Sequence, residues 1–147
     1  MTPIELRNAY VREDALWLRS TIPDVAAAAT QQIDVSGYMA VQLVGAVGVL
    51  VTSAVVANRR PFFQVTSTTG WFWIQQCRDQ VTAGDSRSIQ FYNEIEEERD
   101  TTGVKFVPLA MPIMEGPGAI LAGIGSGQAG DTFSPLIVWY RAWRVRR

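Results

Sequence analysis

Residue types that commonly carry out chemistry are sparse in this chain. It has no histidine and a single cysteine, so the commonest general base, the commonest zinc ligand and any intramolecular disulfide framework are missing. Cys77 follows an aromatic stretch with no histidine or nearby lysine to lower its pKa, and it reads as a small buried hydrophobe. Ser126 lies between glycines, but nothing is present to activate it, and the spacing of Lys105, the only lysine, does not recommend serine–lysine chemistry. Gly125-Ser-Gly127-Gln-Ala-Gly130 satisfies G-x-G-x-x-G after the strand-like stretch AILAGI. A dinucleotide site needs a helix to begin at the last glycine, whereas Asp131-Thr-Phe-Ser-Pro135 leads into another strand, so the motif reads as an inter-strand loop. No catalytic residue, cofactor or metal is expected.

Charge is concentrated in two places. Glu94, Glu96, Glu97, Glu98 and Asp100 form the densest acidic run, a composition that could serve a hard cation or an acid/base pair. Adjacent glutamates without glycine turns or distant partner carboxylates read instead as a solvated face or a salt-bridge partner, with Arg78, Arg87, Arg99 or a neighbouring subunit to neutralise them. At the other end, Arg141, Arg144, Arg146 and Arg147 interleave with Trp139 and Trp143, the combination of charge and stacking surface used by single-strand nucleic-acid binders. Alternation sets Arg144 and Arg146 opposite the tryptophans, and a formal charge of −1 supplies no broad positive field. A strand edge facing water or a protein partner is the better reading, and nucleic acid is the alternative.

Elements that could position these groups are mostly strands. From Gln31 onward, short stretches rich in Val, Ile, Phe, Tyr and Trp are punctuated by Gly, Pro, Asn and Asp. The pattern predicts strands over 32–35, 39–44, 47–56, 62–66, 71–76, 88–92, 104–109, 119–124 and 136–145. Alternation puts Met39, Val41 and Leu43 on one face, and likewise Val47, Val49 and Val51; Trp71, Trp73 and Gln75 oppose Phe72 and Ile74. In the last strand Trp139, Arg141, Trp143 and Val145 share a face opposite Tyr140, Ala142, Arg144 and Arg146. About eight short strands with no helical period between them predict an all-β fold, an antiparallel β-sandwich or jelly roll. Helical character is expected only near the N-terminus and across Asn93–Arg99.

Residues 1–30 differ in texture. Ser20–Thr30 holds a proline and four alanines with few large apolar groups, so this region is expected to be an N-terminal arm or short helix packed on something else, with the sandwich spanning 31–147. Tyr10, Trp17, Leu18 and Arg19 in the arm, with Arg141, Trp143 and Arg144 at the far end, are the expected contact residues. Met39–Ala57 runs 19 residues without a charge, which is about the length of a spanning helix. Its valines, and glycines at 45 and 48, favour two buried strands, so no membrane association is expected. No succession of basic, apolar and small residues typical of a secretory signal opens the sequence, and a lone cysteine fits a reducing cytosol.

Low charge combined with many aromatics implies a surface that is partly covered. Charged residues make up 18% of the chain, and its aromatic set comprises five Trp, four Tyr and six Phe. Apart from Lys105 every basic residue is an arginine, which suits interfacial ion pairs and also follows from codon bias.

The segment Ile33-Asp-Val-Ser-Gly-Tyr38-Met-Ala-Val-Gln-Leu-Val-Gly45 resembles the opening strands of small β-sandwich modules in virion proteins of tailed bacteriophages, where a D-x-S-G-Y turn leads into an alternating strand. The closing strand, ending in Val-x-Arg, is similar to that class as well; the likeness covers 31–56 and 134–147, and the aromatic stretch FFQVTSTTGWFWIQQC departs from it. This resemblance implies a capsid cement or decoration protein that sits on the shell as a homo-oligomer, a trimer in similar proteins, and clamps the major capsid protein or other virion subunits. It would be made in the host cytoplasm. A head-tail connector, tail or spike component is the alternative within the same class.

Overall fold

Alternating β-branched and aromatic residues build strands throughout the computed structural model, which describes residues 15–144 and contains no helix among them. The chain forms a β-sandwich. One sheet runs in the order β1 (Leu16–Ile22), β13 (Leu136–Trp143), β4 (Ala40–Val51), β7 (Ser86–Tyr92), β9 (Val104–Pro108) and β8 (Arg99–Thr101). The short strands β2 (Val25–Ala26), β10 (Met114–Glu115) and β12 (Thr132–Phe133) extend it around β4. The facing sheet runs β3 (Thr30–Asp34), β11 (Pro117–Gly125), β5 (Arg60–Ser67) and β6 (Phe72–Gln76). All described pairings are antiparallel except β7 with β9, whose connection passes through β8, itself folded back on β9.

The valine-rich middle is one strand, where the sequence predicts two. A β-bulge replaces the expected break: Tyr140 pairs with Leu43 and Trp139 with Gly45, which leaves Val44 as the extra residue. Because side chains alternate with period two, one inserted residue reverses the facing of everything after it. Val41 and Leu43 therefore point into the core, followed by Ala46 and Leu50, while Val47, Val49 and Val51 turn outward.

Three phenylalanines join the sheets. Phe63 of β5 meets Phe91 of β7 edge-to-face at 5.1 Å and Phe133 of β12 at 5.8 Å, all with no solvent exposure. Each such pair adds about 1 kcal/mol to the burial of the rings themselves.

The N-terminal region belongs to the sandwich from residue 16 onward, so the domain begins earlier than the expected boundary at 31. Leu16–Ile22 pairs with β13 along its whole length, and Ile22 and Val25 are completely buried. Asn93–Arg99, expected to be helical, is a turn leading into β8. Helix geometry loses because Glu98 is drawn inward by Lys105 and by the backbone N–H groups of Arg78 and Asp79.

Candidate functional site

Four of the predicted contact residues meet on the outer face of the larger sheet. Antiparallel register sets Trp17 of β1 opposite Arg141 of β13, and Arg141 opposite Gln42 of β4, so a single row crosses three strands. The Arg141 guanidinium lies 5.5 Å from the Trp17 ring centroid and 5.4 Å from that of Trp143. Its Nε donates to Gln42 Oε1 at 3.1 Å and its Nη2 donates to the same oxygen. Gln42 is fixed in turn by donating from Nε2 to the Met111 carbonyl at 3.2 Å. Two residues along, on the same face, Arg19 stands opposite Trp139 and stacks on its ring at 6.0 Å. Cation–π contacts of this kind are worth about 0.5–1 kcal/mol each when exposed.

The row is asymmetric in exposure, and that asymmetry decides what it can do. Trp143 is buried at the end of the sheet against Ala40, with Ala15, Met39 and Ile113 packed around it. Trp17 is 70% exposed. A buried indole and an amide thus hold the arginine, and the arginine holds an indole that faces solvent. Leu18 does not join them: by alternation it points inward beside Tyr140 and packs on the core. Arg144 is exposed just past the end of β13, and Tyr10 lies outside the described residues.

The glycine-rich loop has a packing role in the structure. Asp131, immediately after Gly130, is buried and accepts hydrogen bonds from the backbone N–H of Ser53 and of Gln128, both at 2.7 Å. Arg59 closes the arrangement with Nε to Oδ2 at 2.8 Å and Nη2 to Oδ1 at 3.0 Å. Burial pushes the Asp131 carboxyl up, but these hydrogen bonds outweigh it and hold the pKa at about 2. Gly127 is required because a Cβ there would collide with the Ala27 carbonyl, and Gly130 because its φ is +87°.

The acidic run is partly neutralised within the chain. Lys105, 1% exposed, donates from Nζ to Asp100 Oδ2 at 2.9 Å and to Glu98 Oε1 at 3.3 Å. Arg87 bridges Asp85 at 2.7 Å and Asp100 at 2.6 Å. Of the expected neutralisers Arg87 does pair with the run, whereas Arg99 stacks on Phe106 and Arg78 contributes its backbone N–H to Glu98. Cys77 is buried, and desolvation followed by the Glu98 charge pushes its thiol up, away from the nucleophilic form. Among the described residues no group of three or more His, Cys, Asp or Glu is placed to hold a metal ion. Nor is any helix among them long and apolar enough to cross a membrane.

Sequence reasoning missed the exposure of the aromatic strand. Trp71, Phe72, Trp73 and Ile74 are all solvent-exposed, on both faces of β6. A clue was available in the sequence, since aromatic and apolar residues occupy four consecutive positions there instead of alternating with polar ones. No family model matches this chain, and no curated protein matches it.

Proposed function

We propose that this chain is a structural virion protein, a capsid cement or decoration protein that bridges and stabilises shell subunits without catalysis or a cofactor. The observation that carries this reading is the solvent-facing Trp17 held on Arg141. Trp and Arg dominate the binding energy of protein interfaces, and an anchor already fixed before contact avoids much of the ordering cost of association. Arg141 is half-buried, lies against two indoles and is bonded to Gln42, so its role is to position the tryptophan. That favours a protein partner over a nucleic-acid phosphate. The resemblance of 31–56 and 134–147 to phage sandwich modules is what directs this reading to a partner class, the major capsid protein or a neighbouring virion subunit.

Quantitative mass spectrometry of purified virions tests this. The expected result is a copy number matching the sites of the shell lattice. A handful of copies per particle places the chain at a connector, tail or spike, and absence from particles overturns the virion reading. Binding to single-stranded oligonucleotide that weakens steeply with salt replaces it with a nucleic-acid role.

A further inference from the structure

The smaller sheet ends on β6, and no described strand pairs with the outer side of that strand. Backbone parity says which groups are left open. Ser67 N–H donates to the Trp71 carbonyl at 2.6 Å and Cys77 N–H to the Pro61 carbonyl at 3.1 Å, so residues 71 and 77 face β5. The ladder between β5 and β6 has no register shift, so Trp73 and Gln75 face β5 as well. Phe72, Ile74 and Gln76 therefore direct their N–H and C=O groups outward from the edge.

Such an edge normally carries a lysine, a proline or a bulge to prevent strand addition. Here the whole stretch from Thr66 to Cys77 is free of charge and of proline, and β6 itself has no bulge. Both of its faces are open too: Trp71 is 76% exposed, Phe72 59%, Trp73 42% and Ile74 43%.

We propose that β6 is a self-association edge, through which two copies of this chain pair antiparallel about a two-fold axis at Trp73. In that register Phe72 of each copy meets Ile74 of the other through the outward backbone groups. Trp73 meets Trp73 in the non-hydrogen-bonded position, where side chains approach most closely. Trp71 lies against Gln75. The two smaller sheets become one continuous sheet, and the contact is isologous, as a closed dimer requires.

Three observations favour a second copy over other occupants. The strand is uncharged and Glu96 and Glu97 stand beside Gln75 and Gln76 at one end of it, which gives nothing to attract a polyanion, and the two-fold register keeps the two acidic turns at opposite ends of the paired strands. Aromatic residues fall opposite aromatic or aliphatic ones at the centre of the register. The exposed apolar side chains amount to about 500 Å² per copy, which caps the area a pair can bury at about 1,000 Å² and makes the contact a weak, concentration-dependent one. This inference stands apart from the virion reading, because it concerns the isolated chain and fails or succeeds on its mass.

Sedimentation velocity of the full chain across micromolar concentrations tests it, together with hydrogen exchange. A dimer is expected, with the Phe72 and Ile74 amides becoming protected as concentration rises. Ile74→Lys is expected to raise the dimer dissociation constant by at least about 30-fold, since it places two charges near the axis. Because Ile74 is already exposed, that variant keeps the wild-type unfolding midpoint at concentrations where both are monomeric, which is checked alongside. Trp17→Lys on the other sheet serves as the control and leaves the dimer intact. A monomer at all concentrations, a trimer, or a dimer unmoved by Ile74→Lys each overturns the proposal, as does one in which the two amides stay unprotected.

Discussion

Arg59 and Asp131, 72 residues apart in the chain, meet as a doubly hydrogen-bonded ion pair with no solvent exposure on either side chain. The pair ties the loop after β11 to the segment between β4 and β5. Its remaining hydrogen-bonding capacity is used as well: Arg59 Nη1 donates to the Ala57 carbonyl at 2.9 Å, and Asp131 takes two backbone N–H groups. Removing one partner strands the other as a buried charge. Asp131→Ala is therefore expected to cost about 3–5 kcal/mol, read as a fall in the urea midpoint. Replacing both residues by apolar ones, Arg59→Met with Asp131→Leu, is expected to cost less than Asp131→Ala alone.

Acid should act through the same carboxylate. Its folded pKa of about 2 lies below the ordinary carboxylate value of 3.8, so the group binds protons more readily when the chain is unfolded. The stabilisation is present in full above pH 4 or so, declines as pH falls through this interval, and is gone below about 2. On the order of 2 kcal/mol is at stake. Thermal unfolding followed from pH 6 to pH 2 is expected to show a fall in Tm in that window, and the Asp131→Asn variant should lack the part due to this group.

Gly127 offers a contrast with Gly48. A Cβ on Gly127 would strike the backbone oxygen of Ala27, which is anchored by its own N–H to Asp131 and cannot easily withdraw. A Cβ on Gly48 would come within 2.5 Å of Leu136 and Phe133, whose side chains can shift. Gly127→Ala is expected to be the more damaging, about 3 kcal/mol against about 1–2 kcal/mol for Gly48→Ala. Chemical denaturation of both variants gives the order directly.

How much of this was legible beforehand follows from range along the chain. Strand positions were readable because alternation is local, and the all-β sandwich follows from them. The continuity of β4 was not readable: Gly45 marks a break or a bulge equally well, and only pairing with Tyr140 and Trp139 distinguishes the two. Trp17, Arg19, Arg141 and Trp143 were recognisable as contact types, yet their meeting depends on β1 pairing with β13, more than a hundred residues away. Leu18 parts from them for the same reason, since its inward facing is set by that register. Neither Arg59 nor Asp131 carries a local signal, and Lys105 gains its meaning only from β8 folding back on β9. The exposure of β6 depends on where the facing sheet ends, which alternation within β6 cannot report.

The Trp17–Arg141–Trp143 row predicts two opposite effects from the same kind of substitution. Trp143 is 2% exposed, so Trp143→Ala opens a cavity beneath the end of the sheet and is expected to cost about 3–5 kcal/mol. Trp17→Ala removes an exposed ring and one cation–π contact, so its expected cost in stability is under about 1 kcal/mol. Binding should invert this order. If Trp17 is the anchor that meets the shell, its removal weakens attachment to purified capsids at least about 30-fold in a folded protein. Co-sedimentation of the variants with capsids, beside their urea midpoints, separates the two effects. Attachment by Trp17→Ala that equals the wild type would remove this face from the interface.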